Sequence, residues 1–285
     1  MYEVTEIPKI LPRSPDSHKG NYGRILVLAG SVGMTGAACL CSSAALRAGA
    51  GIVTLGIPES LQGVVASKLT CVMTRPLPET HAKTLSDRGW QDILDFAQQF
   101  DVVTIGPGLS QYPETKRLIL RLLQALDHPV VLDADGINAL ADNPEILDQV
   151  KKPIILTPHP GEMSRLIGVP TKEIQPKRLE VSQRFVSGRR NVTLVLKGFR
   201  TIVVNEEKFY INKTGNPGMA TAGVGDVLTG IVAALLGQHY SPFDAAQLGV
   251  YLHGLAGDIA VQKIGEVSLI ATDILNYLPK AFLTY

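Results

Sequence analysis

Asn216-Pro217-Gly218-Met219-Ala220-Thr221-Ala222-Gly223-Val224-Gly225-Asp226 runs straight into the apolar segment Val227 to Leu236. Glycines at 218, 223 and 225 open backbone conformations closed to other residues and let a ligand approach with no Cβ in the way, so a tight turn is expected. The segment that follows is apolar or small on every side (Val227, Leu228, Ile231, Val232, Ala233, Leu236), which predicts a buried helix rather than an amphipathic surface one. Its first turn then opens inside the protein. Free N–H groups from Gly223, Val224, Gly225 and Asp226, with the positive end of the macrodipole, form an anion site suited to phosphate oxygens. A carboxylate beside phosphate is repelled unless a metal or a proton-transfer role keeps it. Asp226 therefore points to phosphoryl transfer onto a hydroxyl with this residue as base. The ordinary alternative is a simple helix cap, and the glycines in the preceding turn weigh against it.

The rest of the composition agrees with a small-molecule enzyme. A chain of 285 residues with 45% hydrophobic content buries a sizeable core and fits one large α/β domain spanning 1–285. A net charge of +1 and the lack of a Lys/Arg stripe argue against nucleic acid and against an anionic membrane surface. Cys39, Cys41 and Cys71 form no C-x-x-C, which argues against a disulfide framework or a structural metal and suits a reducing cytoplasm. No signal peptide precedes Glu6 in pattern, and no apolar run reaches the length of a membrane span.

Apolar runs at Ile25–Ala29, Ile52–Leu55, Val102–Ile105, Val130–Leu132, Ile154–Leu156 and Val192–Leu196 alternate with helical patterns at 36–48, 86–99, 113–126, 161–167 and 176–188. Strands apolar on both faces and separated by helices predict a mostly parallel central sheet in a three-layer α/β/α sandwich. Thr201–Asn205 and Lys208–Ile211 predict a hairpin late in the sheet, and a helical C-terminal third runs from Val224 through Asp244 to Gln262 and from Thr272 to Phe282.

Ligands of open α/β sheets sit outside the carboxyl ends of the strands. Four corners stand out there: Gly30 to Ala38, Gly106-Pro107-Gly108-Leu109, Asp133-Ala134-Asp135-Gly136, and Thr157-Pro158-His159-Pro160-Gly161-Glu162. Each alone is an ordinary turn, with Asp135 a candidate helix cap; together they make one pocket. His159, between two prolines, is held by a stiff loop and suits substrate binding better than acid–base work. Glu162 either holds a hydrated Mg²⁺ or favours the helix dipole. Lys197-Gly198-Phe199-Arg200-Thr201 joins two strands and places Lys197 and Arg200 toward nucleotide phosphates or ribose; the alternative is a hairpin with two solvated cations.

In this order the corners resemble the ribokinase-like superfamily, and more closely the ADP- or ATP-dependent NAD(P)H-hydrate dehydratases. Ser17-His18-Lys19-Gly20, Met34-Thr35-Gly36-Ala37-Ala38 and His159-Pro160-Gly161-Glu162 select that branch, with Ala48 to Gly51, Lys197-Gly198 and Tyr251-Leu252-His253-Gly254 in support. The resemblance implies that the nucleotide phosphorylates the hydroxyl of the S epimer of hydrated NADH or NADPH, after which phosphate leaves. It also implies that Ala37, Gly108, His159 and Asp226 contact the hydrated dinucleotide, and that Lys197, Gly198, Phe199, Arg200, Thr201 and Gly225 contact ADP or ATP. Mg²⁺ is implied as cofactor, with Glu162 and Asp135 as candidate ligands. Relatives are often tetramers, and Tyr251 and Leu252 are candidates for an apolar contact face. Many relatives carry an N-terminal epimerase domain not seen in this chain, so a separate epimerase is expected to supply the other half of the repair. Val224 stands where relatives commonly have Thr, and Ala222 where Gly is frequent; a site built from backbone donors tolerates both.

A vitamin kinase of the hydroxymethylpyrimidine or hydroxyethylthiazole type shares the first chemical step and is the main rival. An NAD-dependent oxidoreductase is disfavoured, because Gly30, Gly33 and Gly36 are spaced G-x-x-G-x-x-G. A nucleotide sensor without turnover is the remaining alternative.

Overall fold

The computed structural model describes residues 1–141 and 143–285. Its strands are β1 (Tyr2–Glu3), β2 (Arg24–Leu28), β3 (Ile52–Pro58), β4 (Met73–Leu77), β5 (Val102–Ile105), β6 (Val130–Leu132), β7 (Ile154–Leu156), β8 (Val192–Leu196), β9 (Ile202–Val204) and β10 (Lys208–Ile211). The helices are α1 (Thr35–Arg47), α2 (Gln62–Ala66), α3 (Trp90–Ala97), α4 (Pro113–Ala125), α5 (Asp135–Leu140), α6 (Pro160–Ile167), α7 (Thr171–Ile174), α8 (Arg178–Val186), α9 (Val224–Gly237), α10 (Pro242–Ile264) and α11 (Ala271–Thr284).

The strands form one sheet in the order β1-β10-β9-β8-β7-β6-β5-β2-β3-β4. Pairing is parallel from β4 across to β8, as strands separated by crossover helices require. β9 is antiparallel to both β8 and β10, which is the expected hairpin. Alternate residues feed two cores. Ile25 and Val27 pack with α1, α2 and α9 to α11 on one face, while Leu26 and Leu28 pack with α3 to α8 on the other. The α/β/α sandwich expected from the sequence is therefore the observed architecture.

From β2 the chain winds outward through β3 and β4, then returns to β5 and winds the other way to β8. The reversal lies between β2 and β5, and a crevice at such a point is where a doubly wound sheet takes its ligand. α9 is apolar all round because it is enclosed: Val227 to Gly237 are buried, against α1, α10 and the sheet. Its approach to α1 is so close that a Cβ on Gly230 would lie 2.1 Å from the Cys41 carbonyl oxygen.

Several expectations are corrected. Edge strand β4 escaped notice because Arg75 and Pro76 break its apolar pattern, and Pro is tolerated at an edge. The helical stretch expected from Val224 to Gln262 is divided into two helices, since His239 takes φ +70 and Pro242 opens α10 with Ser241 as cap. The expected 86–99 helix begins as a short 3₁₀ turn, Asp87–Gly89, capped by Ser86. The one over 176–188 begins only at Arg178, after a 3₁₀ turn containing Pro176. Leu252 is fully buried in the core and offers no contact face, and Tyr251 stacks edge-on against Tyr285 at 5.2 Å. Among the described residues no helix is long and apolar enough to cross a membrane. The three cysteines are free.

Candidate functional site

Gly223 sets the mouth of α9. It takes φ +87, and a Cβ there would lie 2.7 Å from Leu40 Cδ1, so both backbone and space call for glycine. The first helical hydrogen bond runs from Val227 N–H to the Gly223 carbonyl at 3.2 Å. The amides of Val224, Gly225 and Asp226 precede it and point out of the helix end. The preceding run is strapped to α10: Asp258 accepts from Gly215 N–H at 2.8 Å and from Asn216 Nδ2 at 3.0 Å. His253, also on α10, is buried, and burial pushes its pKa down to about 4. The neutral ring donates from Nε2 to the Val224 carbonyl at 3.0 Å, fixing the first turn from behind.

Carboxylates and one ammonium surround that mouth. Asp133, at the end of β6 and 1% exposed, accepts from Lys197 Nζ at 2.7 Å and from Thr229 Oγ1 at 2.7 Å. A carboxylate removed from water to this degree needs such partners, since an unpaired one costs several kcal/mol. Lys197 Nζ also lies 3.9 Å from Glu162 Oε2 and 3.2 Å from where a Cβ on Gly225 would sit, so the ammonium stands over the helix end. Burial lowers the Lys197 pKa, but Asp133, Glu162 and Asp226 together outweigh burial and hold it above the usual lysine value. Lys197 is thus not the solvated cation of the alternative reading.

Asp226 is driven the opposite way. Burial first, then the like charge of Asp133, raise its pKa to about 7, with Lys197 opposing. An acid poised near neutrality beside a row of free amides is suited to accept a proton as a hydroxyl oxygen attacks phosphorus.

His159, between its two prolines, is the N-cap of α6. Its Nδ1 accepts from Gly161 N–H at 2.9 Å and from Glu162 N–H at 3.3 Å, while Glu162 Oε2 accepts from His159 N–H at 2.7 Å. Burial, then Lys197 and Arg165, lower the His159 pKa. The neutral ring therefore carries its proton on Nε2, which faces Glu162 Oε1 at 3.3 Å. Burial also raises the Glu162 pKa, with Lys197 opposing.

Across the reversal point, Gly108 and Ala37 meet: a Cβ on Gly108 would lie 3.1 Å from the Ala37 Cβ. Ser31 Oγ donates to the Gly108 carbonyl at 2.8 Å, and Asp135 Oδ2 accepts from Ser110 N–H at 2.8 Å. Asp135 thus braces the Gly108 turn, and no side-chain cap bond forms at the start of its own helix. On the other flank, Thr201 Oγ1 donates to the Gly198 carbonyl and receives Gly198 N–H, closing the turn between β8 and β9. Phe199 is 86% exposed and Arg200, at φ +54, lies 5.6 Å from its ring. These two form a rim, apart from the Asp133–Lys197 cluster.

Among the described residues no group of three or more His, Cys, Asp or Glu is arranged to hold a metal. Mg²⁺ needs no such cage, because it keeps several waters and binds through one or two carboxylates plus phosphate. The hard oxygens of Glu162, buried beside Lys197, fit that role. Residues that sequence reasoning missed are Asp133, Thr229 and Arg178. Asp133 was visible as one of two acids in Asp133-Ala134-Asp135, but only the fold tells which faces Lys197; nothing marked the other two.

Against known proteins, residues 25–280 match the family model described as NAD(P)H-hydrate dehydratase. The bifunctional NAD(P)H-hydrate repair enzyme Nnr of Moorella thermoacetica is 49% identical over 271 residues, 94% of this chain and 51% of that protein. The chain thus spans about half the length of the bifunctional relatives it matches. The ADP-dependent (S)-NAD(P)H-hydrate dehydratase of Bacillus subtilis is 35% identical over 95% of this chain and 92% of its own. A crystal structure of the B. subtilis ADP/ATP-dependent NAD(P)H-hydrate dehydratase, co-crystallized with ATP/Mg²⁺, superposes with TM-score 0.82 at 32% identity, covering 96% of this chain and 94% of that one. A ribokinase-like superfamily protein of Enterococcus faecalis superposes with TM-score 0.83 at 26% identity over 97% of this chain and 92% of its own.

Proposed function

The chain belongs to the NAD(P)H-hydrate dehydratase family, and from that premise we propose that it restores NADH or NADPH from the S epimer of the hydrated cofactor, with ADP or ATP as phosphoryl donor. The observation that carries the reading is Asp226, poised near neutral pH at the amide-lined mouth of α9, with Lys197 over the same helix end. The substrate hydroxyl attacks the terminal phosphorus and its proton passes to Asp226. The bond to the bridging oxygen breaks and AMP or ADP departs. Amides of Val224, Gly225 and Asp226, with Lys197, hold the charge on the transferring group. The ring nitrogen lone pair then expels phosphate, and loss of the neighbouring carbon-bound proton restores the double bond. Mg²⁺ at Glu162, when bound, neutralises charge on the phosphoryl oxygens.

Ala37 and Gly108 form the wall against which the dinucleotide lies, and the half-exposed His159 ring lies beside it, its Nε2–H turned toward Glu162. The Lys197–Thr201 turn takes the nucleotide, with Phe199 as an exposed stacking surface. A separate epimerase is the proposed source of S substrate from the R form. Purified protein given hydrated NADH, Mg²⁺ and either ADP or ATP should regain the reduced-nicotinamide absorbance and release inorganic phosphate. A stable phosphorylated product with no recovery of absorbance would assign the chain to the kinases instead.

A further inference from the structure

The turn assigned to the nucleotide is not shaped by its own residues alone. Arg178, the first residue of α8, reaches back beneath it. Its Nη2 donates to the Leu196 carbonyl at 2.7 Å and to the Lys197 carbonyl at 3.0 Å, and its Nη1 donates to the Phe199 carbonyl. Gly198 takes φ +137, and a Cβ there would lie 3.2 Å from Arg178 Nη2. The glycine is thus needed both for its backbone angle and to admit the guanidinium.

A trans peptide points its carbonyl and the following N–H in opposite directions. Drawing the carbonyls of 196, 197 and 199 toward Arg178 therefore fixes three peptide planes at once, and with them the directions taken by Lys197, Phe199 and Arg200. Only a planar, always-charged fork with several donors can satisfy three carbonyls together; a lysine ammonium on its flexible stem reaches them less well. Arg178 itself is partly buried under the turn.

We propose that Arg178 is a positioning residue for the phosphoryl donor, presetting the Lys197–Thr201 turn so that the nucleotide meets an ordered surface. This rests on the reading of that turn as the nucleotide site. It separates binding from chemistry, because the Lys197 ammonium is anchored on Asp133 at 2.7 Å, and Asp226 and the mouth of α9 keep their own supports in His253, Asp258 and Thr229.

The test is calorimetric titration of ADP and of ATP into wild type, Arg178→Lys and Arg178→Ala, followed by kinetics with hydrated NADH. Loss of the three charge-assisted contacts should weaken nucleotide binding about tenfold or more. The KM for nucleotide should rise equally, with kcat at saturation and the KM for hydrated NADH little changed. Added guanidinium should restore Arg178→Ala. Unchanged nucleotide affinity in folded Arg178→Lys overturns the proposal. So does a parallel fall in kcat and in affinity for both substrates with no rescue, which marks a merely structural residue. If wild type binds neither ADP nor ATP, the nucleotide reading falls first and this inference with it.

Discussion

Replacing Asp226 by Asn tests both the chemistry and its physical cause. Burial and Asp133 lift the Asp226 pKa from 3.8 to about 7. Between those values the folded protein binds more protons than the unfolded chain, so stability falls as pH rises and levels off above about 7. The distance between the two values corresponds to a ceiling of roughly 4 kcal/mol. Asp226 is only partly buried, and relaxation and water penetration recover part of it, so a gain of about 1–2 kcal/mol is expected from Asp226→Asn at pH 8. That is roughly 2–4 °C in Tm for a chain of this size. The gain should shrink toward zero near pH 4. Turnover should fall by about 10²-fold or more, while ADP binding survives. Paired melts from pH 4 to 8, with hydrated-NADH turnover at each pH, read all of this. Equal Tm at pH 8, or a variant that keeps wild-type turnover, would refute the assignment of Asp226 as a buried base.

In the wild type, the low-pH limb of kcat/KM should rise with unit slope toward about pH 7 and disappear in Asp226→Asn. His253 should stay neutral down to about pH 4, which ¹⁵N chemical shifts of its ring would show; titration near 6.5 would contradict its burial. Thr229→Val leaves Asp133 with Lys197 as its remaining partner, and should cost about 1–3 kcal/mol in denaturant melts; an unchanged midpoint would remove Thr229 from the network. Gly230→Ala places a methyl 2.1 Å from the Cys41 carbonyl oxygen, and should cost about 3 kcal/mol or prevent folding; wild-type stability would mean α1 and α9 are not in close contact.

How much of this was legible beforehand varies by residue. The six central strands and the mouth of α9 announce themselves locally, since β-branched runs and closely spaced glycines carry their meaning within a few residues. The strand order, with its reversal beside β2, depends on pairings across the chain. So does the network around Lys197: its partner Asp133 is 64 positions away, and Thr229, which donates to Asp133, lies 96 positions beyond it. The sequence thus singles out Lys197 and Asp226 but not Asp133, the acid paired with Lys197. The stiff loop expected at His159 stands, but its capping role was not legible, because Nδ1 meets the Gly161 and Glu162 amides only once α6 has formed. Arg178 was hidden inside a helical pattern, and its contacts with three carbonyls exist only after α8 packs under β8 and β9.

The enclosure of α9 has a consequence for how this chain can change. Many catalysts hang their reactive groups on adaptable loops and leave the scaffold alone; here the proposed base rides on the innermost rod of the molecule. Drift in aliphatic residues such as Ile231 or Val232 would therefore tilt the acid as well as loosen the interior. Adaptation to a new acceptor is more accessible through the turns at 30–34 and 106–110, which border the cleft and lie outside both α1 and α9. Laboratory selection for altered substrates should enrich changes there and leave 227–237 nearly untouched.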